Sequence, residues 1–345
     1  MSKKPIRILS IDGGGVGGII PARVLARLQE HDPRVIANAD LVAGTSTGGL
    51  IALGLAAGLT PDTLCKLYLE QAKDIFAKKY RRCVVLRLFR SKFVSTGLRS
   101  AVRSLVGDKT LGELQAKPVL VPVTALRRAD SSHNPAGIFL STAFRLYGDP
   151  RQNPAYERYG SSGWKCEDVA LATAAAPSYF PAHTVKDPRF PDKSWLCWDG
   201  GIVANNPAMA AYAEIMRLDL ISRKLEVRSG PQDVPDVRIL SLGTGFRDMN
   251  IPAGDWGQAT AVRGVLAALL DTSVGSTDFL LKQLLGPRIL RLSPTLEKDY
   301  AIDDPQVVDG LNGLTNEFCD ERLGLAQPAR PLKRDLKQWL EEHWF

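Results

Sequence analysis

The chain has 345 residues, 45% of them hydrophobic and 23% charged, which excludes a disordered or low-complexity polypeptide and allows a sizeable core. Five scattered cysteines (Cys65, Cys83, Cys166, Cys197, Cys319), odd in number and without CxxC spacing, argue against a disulfide framework or a zinc site and suit a reducing compartment. The formal net charge of +7 is concentrated between Lys78 and Lys109, where ten Lys or Arg face one acid, Asp108; Val84, Leu86, Leu88, Phe89 and Phe93 interleave with them, as suits an anionic headgroup layer, a phosphate-bearing ligand or a plain solvated face.

After Met1-Ser2-Lys3-Lys4-Pro5, the apolar run Ile6–Ile11 stops at Asp12, too soon for a signal peptide. It predicts a buried strand, followed by a glycine cluster, Gly13–Gly18. Ile19, Leu25 and Leu28 then recur at helical spacing, ending near His31-Asp32-Pro33. Leu41–Pro61 carries no charge and has the length of a membrane span. Its glycines, with Thr45, Ser46 and Thr47, favour instead a strand over 41–43, a turn and a helix over 48–57. Thr60-Pro61-Asp62 reads as the cap and first turn of another helix. Val119–Val123 and Val237–Leu242 read as strands, and Asp168–Ala176 as a helix ending at Pro177. Strands alternating with helices predict an α/β fold with a largely parallel sheet covered on both faces. Past about Asn250 the pattern turns helical. Ala261–Leu270 and Phe279–Leu285 are expected as core helices, with a dimer face or a lipid-contact surface as lesser options. The expected division is a core over 1–250 and a helical extension over 251–345 packed on the same domain.

Three constellations carry chemistry. In Gly44-Thr45-Ser46-Thr47-Gly48 the serine falls on a strand–turn–helix junction, where flanking glycines expose the hydroxyl. The helix start offers free N–H groups and positive dipole to a developing oxyanion. The bland alternative is a glycine-rich turn that packs a helix against a sheet. Asp12-Gly13-Gly14-Gly15-Val16-Gly17-Gly18 lets backbone N–H groups converge on an anion. It fits GxGxxG at Gly13, Gly15 and Gly18, so a non-catalytic dinucleotide-binding protein using the Gly13–Gly18 loop is the alternative function. That fold wants an acid at the end of its second strand. Here the second strand runs into Gly44-Thr45-Ser46, and Asp32 and Asp40 precede it. Third, Asp199-Gly200-Gly201 precedes Asn205-Asn206-Pro207. Asp199 supplies the base that Ser46 needs to lose its proton. An α/β-hydrolase uses the order Ser, acid, His, but of the four histidines only His343 follows Asp199, close to the chain end, and that fold places several strands before its nucleophile where Ser46 has room for about one. His31 and His133 read as surface residues and His183 as structural.

Taken in order, Asp12–Gly18, Gly44–Gly48 and Asp199-Gly200 resemble the patatin-like phospholipase family. Ala172–Pro177 with Tyr179-Phe180, Asn205-Asn206-Pro207 and Ser241–Gly245 agree, so the resemblance covers roughly residues 6–248. It implies a three-layer α/β/α fold with a mainly parallel central sheet. It also implies a Ser46–Asp199 dyad without histidine and an oxyanion hole from Gly13, Gly14 and Gly15, chiefly the last two. The expected activity is hydrolysis of phospholipid or other lipid esters with neither metal nor cofactor. Many relatives carry Arg or Lys where this chain has Gly17, so a charge for a lipid phosphate must come from elsewhere, with residues 78–109 as a source. Some compact bacterial members are antiphage effectors switched on by a cyclic oligonucleotide, which adds an activator to the expected partners. Nucleic acid is not expected, and self-association is left open. The expected location is cytoplasmic, with peripheral membrane contact when active.

Overall fold

Alternation along the strands decides the layers. The computed structural model describes residues 4–77, 91–127, 136–140, 162–188, 192–222, 234–246, 258–297, 300–325 and 334–345. In β1 (Ile6–Ile11) Ile8 enters one apolar layer and Leu9 and Ile11 the other. β2 (Leu41–Gly44) sends Leu41 and Ala43 into the first and Val42 into the second. Two faces with that periodicity need helices on both sides.

The second layer is closed by α1 (Ile19–His31) after the glycine loop and by α3 (Thr47–Ala56) after β2. The short α2 (Arg34–Ala37) lies between them in sequence. α4 (Pro61–Ile75), with Thr60 capping the N–H of Thr63, and α5 (Ser95–Val106) join the same layer. β3 (Val119–Arg127) and β4 (Ala136–Leu140) follow. Next come α6 (Cys166–Thr173), β5 (His183–Lys186), β6 (Ser194–Asp199) and the one-turn α7 (Gly201–Ala204). The first layer belongs to α8 (Ala208–Ser222) and α9 (Gln258–Leu285), which flank β7 (Val237–Leu242) in sequence. β8 (Ile289–Leu292), α10 (Val308–Glu317) and α11 (Arg334–Trp339) complete the chain.

The sheet order is β5-β6-β3-β2-β1-β7-β8, with β4 also on β3. β3-β2-β1-β7-β8 are parallel, and β4, β5 and β6 join antiparallel. The architecture is the mainly parallel α/β/α sheet expected.

Four strands escaped the sequence reading. β6, Ser-Trp-Leu-Cys-Trp-Asp, buries alternate residues yet is apolar on both faces, so its period is hidden. β8 lies in the stretch read as helical, is four residues long and carries Arg291. β4 and β5 are similarly short. Helix α6 ends at Thr173, not Ala176, because the Ala175 carbonyl accepts the N–H of Asp199 at 3.0 Å. The uncharged stretch from Leu41 is a buried strand, turn and helix. Among the described residues no helix is long and apolar enough to cross a membrane. α9 departs from a pure core helix: Leu281 and Leu285 are buried, but Val265, Leu269, Phe279, Leu280 and Leu284 are exposed. Lys78–Arg90, most of the basic cluster, lies outside the described residues.

Candidate active site

β3 takes two partners along one edge. β4 covers Leu120–Thr124, so β2, paired at Val119 and Leu120, and β6, paired from Val123 onward, must share the opposite edge. One runs parallel to β3 and the other antiparallel, so their C-terminal ends point at each other. Pro122 falls in the gap, where its missing N–H breaks no ladder. Its carbonyl instead accepts the hydroxyl of Thr173 at 2.7 Å.

Ser46 and Asp199 face each other across this gap. Ser46 joins β2 to α3 at φ 52°, ψ −120°, a conformation that costs a non-glycine residue about 1–3 kcal/mol and persists where the surroundings enforce it. The enforcement is visible. The Ser46 N–H donates to Thr173 Oγ1 at 2.9 Å, Thr45 Oγ1 donates to the Ala204 carbonyl at 2.7 Å, and Thr47 Oγ1 meets Tyr68 Oη at 2.6 Å. A Cβ on Gly48 would stand 2.3 Å from the Ile11 carbonyl oxygen, so only glycine lets α3 start hard against β1.

The Ser46 hydroxyl donates to Asp199 Oδ2 at 2.7 Å. Asp199 Oδ1 accepts the Gly201 N–H at 2.7 Å, and the Asp199 carbonyl accepts the Thr124 hydroxyl at 2.7 Å. Gly200 donates its N–H to the Thr173 carbonyl. Burial pushes the Asp199 carboxyl up to about 6, against the pull of the Gly201 N–H and the Ser46 hydroxyl. Such a carboxylate is a better base than one in water.

The glycine loop lies beside Ser46. Gly13 donates its N–H to the Asn205 carbonyl at 3.0 Å, Val16 to the Ile302 carbonyl at 2.8 Å and Gly17 to the Gly14 carbonyl at 3.0 Å. Of the three glycines expected as oxyanion donors, Gly13 thus has its N–H engaged. Those of Gly14 and Gly15 have no acceptor among the described residues, and both glycines line the cleft with Ser46 and Thr47. Gly15 has φ +58°, and a Cβ there would lie 2.0 Å from the Ile302 carbonyl oxygen. Gly18 packs against Thr47 and Tyr68.

The loop's first residue, Asp12, is fixed by a group that no motif announced. Its Oδ2 accepts from Arg291 Nη2 on β8 at 2.6 Å, and Arg291 Nη1 donates to Ser241 Oγ at 2.9 Å. Burial raises the Asp12 carboxyl above its ordinary value, and Arg291 opposes that shift.

The cleft spans about 770 Å³ of empty space, open solvent included. Leu50, Ile75, Phe76, Leu98 and Phe180 give it an apolar wall. No histidine lines it among the described residues. His183 bonds Asp168 Oδ1 at 3.0 Å, and His31 and His343 sit on terminal helical turns. His133 lies outside the described residues.

The fold and cleft thus define an α/β protein with an apolar pocket built over an elbow serine. The model of the patatin-like phospholipase family matches residues 9–212, and the chain belongs to that family. A cGAMP-activated phospholipase of Escherichia coli is 33% identical over 260 residues, covering 73% of this chain and 65% of that protein. A cGAMP-activated phospholipase of Pseudomonas aeruginosa is 30% identical over 332 residues, covering 93% and 88%. Patatin-like protein 2 of Oryza sativa subsp. indica is 29% identical over 349 residues, covering 93% and 81%.

Proposed function

We propose that this chain is a lipid acyl hydrolase with Ser46 as nucleophile, Asp199 as base and the N–H groups of Gly14 and Gly15 as the oxyanion hole. The 2.7 Å bond from the Ser46 hydroxyl to a buried carboxylate at a strand–turn–helix elbow carries the reading. Ser46 attacks the ester carbonyl as Asp199 takes its proton. The tetrahedral oxyanion sits against Gly14 and Gly15, whose backbone is braced by Ile302 and needs no reorganisation. Asp199 returns the proton to the departing alcohol. Water then attacks the acyl-enzyme, with Asp199 again as base. The apolar wall holds the acyl chain and excludes water from the dyad.

Fatty-acid release from mixed phospholipid vesicles by wild-type and Ser46→Ala protein tests this. Release by wild type alone is expected, and equal release by the variant would sink the assignment. A second reading is activation by a cyclic oligonucleotide. It is supported by the names of the two bacterial relatives, while the rice relative, aligned over 349 residues, carries no such name. Adding cyclic di- and trinucleotides to the same assay decides it: release only with one nucleotide means a gated enzyme, and release without any means a constitutive one.

A further inference from the structure

Among the described residues lining the cleft, only Asp199 and Asp303 carry charge. Asp199 serves the dyad, and Asp303 has no part in the chemistry above. Its side chain is 7% exposed and pairs with the ammonium of Lys92, a side chain 32% exposed. The Lys92 strap is held in place by two backbone bonds: Lys92 N–H to the Ser178 carbonyl at 2.9 Å and Phe93 N–H to the Tyr179 carbonyl at 2.8 Å. These place the ammonium 5.3 Å from the Phe93 ring centre and 5.7 Å from that of Tyr179. Asp303 in turn follows Ile302, whose carbonyl accepts from Val16 and abuts Gly15. The ion pair is thus joined through one residue to the loop that would hold the reacting carbonyl.

We propose that Lys92 and Asp303 form a headgroup subsite that selects zwitterionic glycerophospholipids, with phosphate on Lys92 and ammonium on Asp303. This rests on the lipid acyl hydrolase reading above. An ion pair beside an apolar cleft carries a desolvation penalty, and its charges need partners of the right sign. A zwitterion inserted between them exchanges one matched pair for two and brings no net charge. The ring of Tyr179, which lines the cleft, gives a quaternary or primary ammonium a favourable face. An anionic headgroup brings a negative charge with no ammonium to satisfy Asp303, and a neutral headgroup leaves the pair closed. The subsite also supplies the cation that Gly17 withholds from the glycine loop.

The test compares wild type, Lys92→Met, Lys92→Arg and Asp303→Asn on phosphatidylcholine, phosphatidylethanolamine and phosphatidylglycerol in one detergent, with a neutral short-chain ester as reference. For Lys92→Met the ratio of phospholipid to reference kcat/KM is expected to fall about tenfold or more, the scale of a lost charged hydrogen bond, with partial recovery in Lys92→Arg. For Asp303→Asn the preference for the two zwitterionic lipids over phosphatidylglycerol should fall about tenfold. Equal slowing on every substrate would make the pair a structural latch and overturn the proposal, as would an unchanged headgroup ratio. Should wild type release fatty acid from nothing, the catalytic reading fails by itself. Calorimetric titration with dihexanoylphosphocholine then still decides: binding weakened in Lys92→Met and Asp303→Asn supports the subsite, and equal binding in all forms overturns it.

Discussion

Asp12 and Asp199 are two buried aspartates, each at a strand's C-terminal end, and burial drives both carboxyls upward. Their neighbours differ in kind. Asp12 meets a guanidinium at 2.6 Å, while its Oδ1 has no partner among the described residues. Asp199 meets a hydroxyl and a backbone N–H. A cation fixes a carboxylate in place and in charge, whereas neutral donors leave it free to take and return a proton. One site therefore braces the glycine loop, and the other suits the base of the proposed dyad. The largest effect should fall on Asp199: Asp199→Asn and Ser46→Ala should each lose about 10³-fold or more in kcat with circular dichroism unchanged. If Asp199→Asn kept a tenth of the turnover, the distinction between the two aspartates would collapse.

The brace should answer in stability. Arg291→Met leaves Asp12 buried without its cation, and a broken buried pair costs about 3–5 kcal/mol. Urea unfolding should show this, and Asp12→Asn in the same chain should restore most of it. A loss below about 1 kcal/mol would place the pair with ordinary surface bridges.

Asp199 should show the opposite sign. Its folded pKa of about 6 lies above the ordinary 3.8, so the folded state holds a proton that the unfolded state releases. Stability from this group is complete below about pH 4 and lost as pH rises through 6. Asp199→Asn should match wild type in stability near pH 4 and exceed it by about 3 kcal/mol above pH 7. Equal stability at both pH values would mean the carboxyl is not held out of water. Stability given up at the proposed base is the trade expected of an active site.

The same contrast explains what could be read before the fold was known. Ser46 and Asp199 stood out because an elbow serine and its base need particular residue types in a particular local setting, and the glycines record backbone contacts that allow no Cβ. Arg291 did not stand out, since one arginine in Ile-Leu-Arg-Leu looks like any partly exposed strand position until β8 lies beside β7. Thr173 lies within Ala172–Pro177, one of the segments that carry the family resemblance, yet its bridge from Ser46 to Pro122 depends on β2 and β6 meeting along β3. Gly13 was grouped with its neighbours because sequence cannot reveal that Asn205 claims its N–H. Lys92 sat in a visible basic cluster whose one close acid, Asp108, gave no hint of Asp303, 211 positions on.

The smallest effect is on the acid limb of the rate profile. In the proposed dyad the base must be ionised to accept the Ser46 proton, so kcat/KM should be level above about pH 6 and fall tenfold per unit below it. The 2.7 Å bonds from Gly201 and Ser46 both favour the charged form, so the limb's position reports how far burial outweighs them. Asp12→Asn removes a buried charge but no donor to Asp199, and should leave the limb in place even where it lowers the rate. An acid limb near pH 4 would mean that water reaches Asp199. A limb that moved with Asp12 would mean that the two aspartates titrate as one system, and the separation of brace from base would fail.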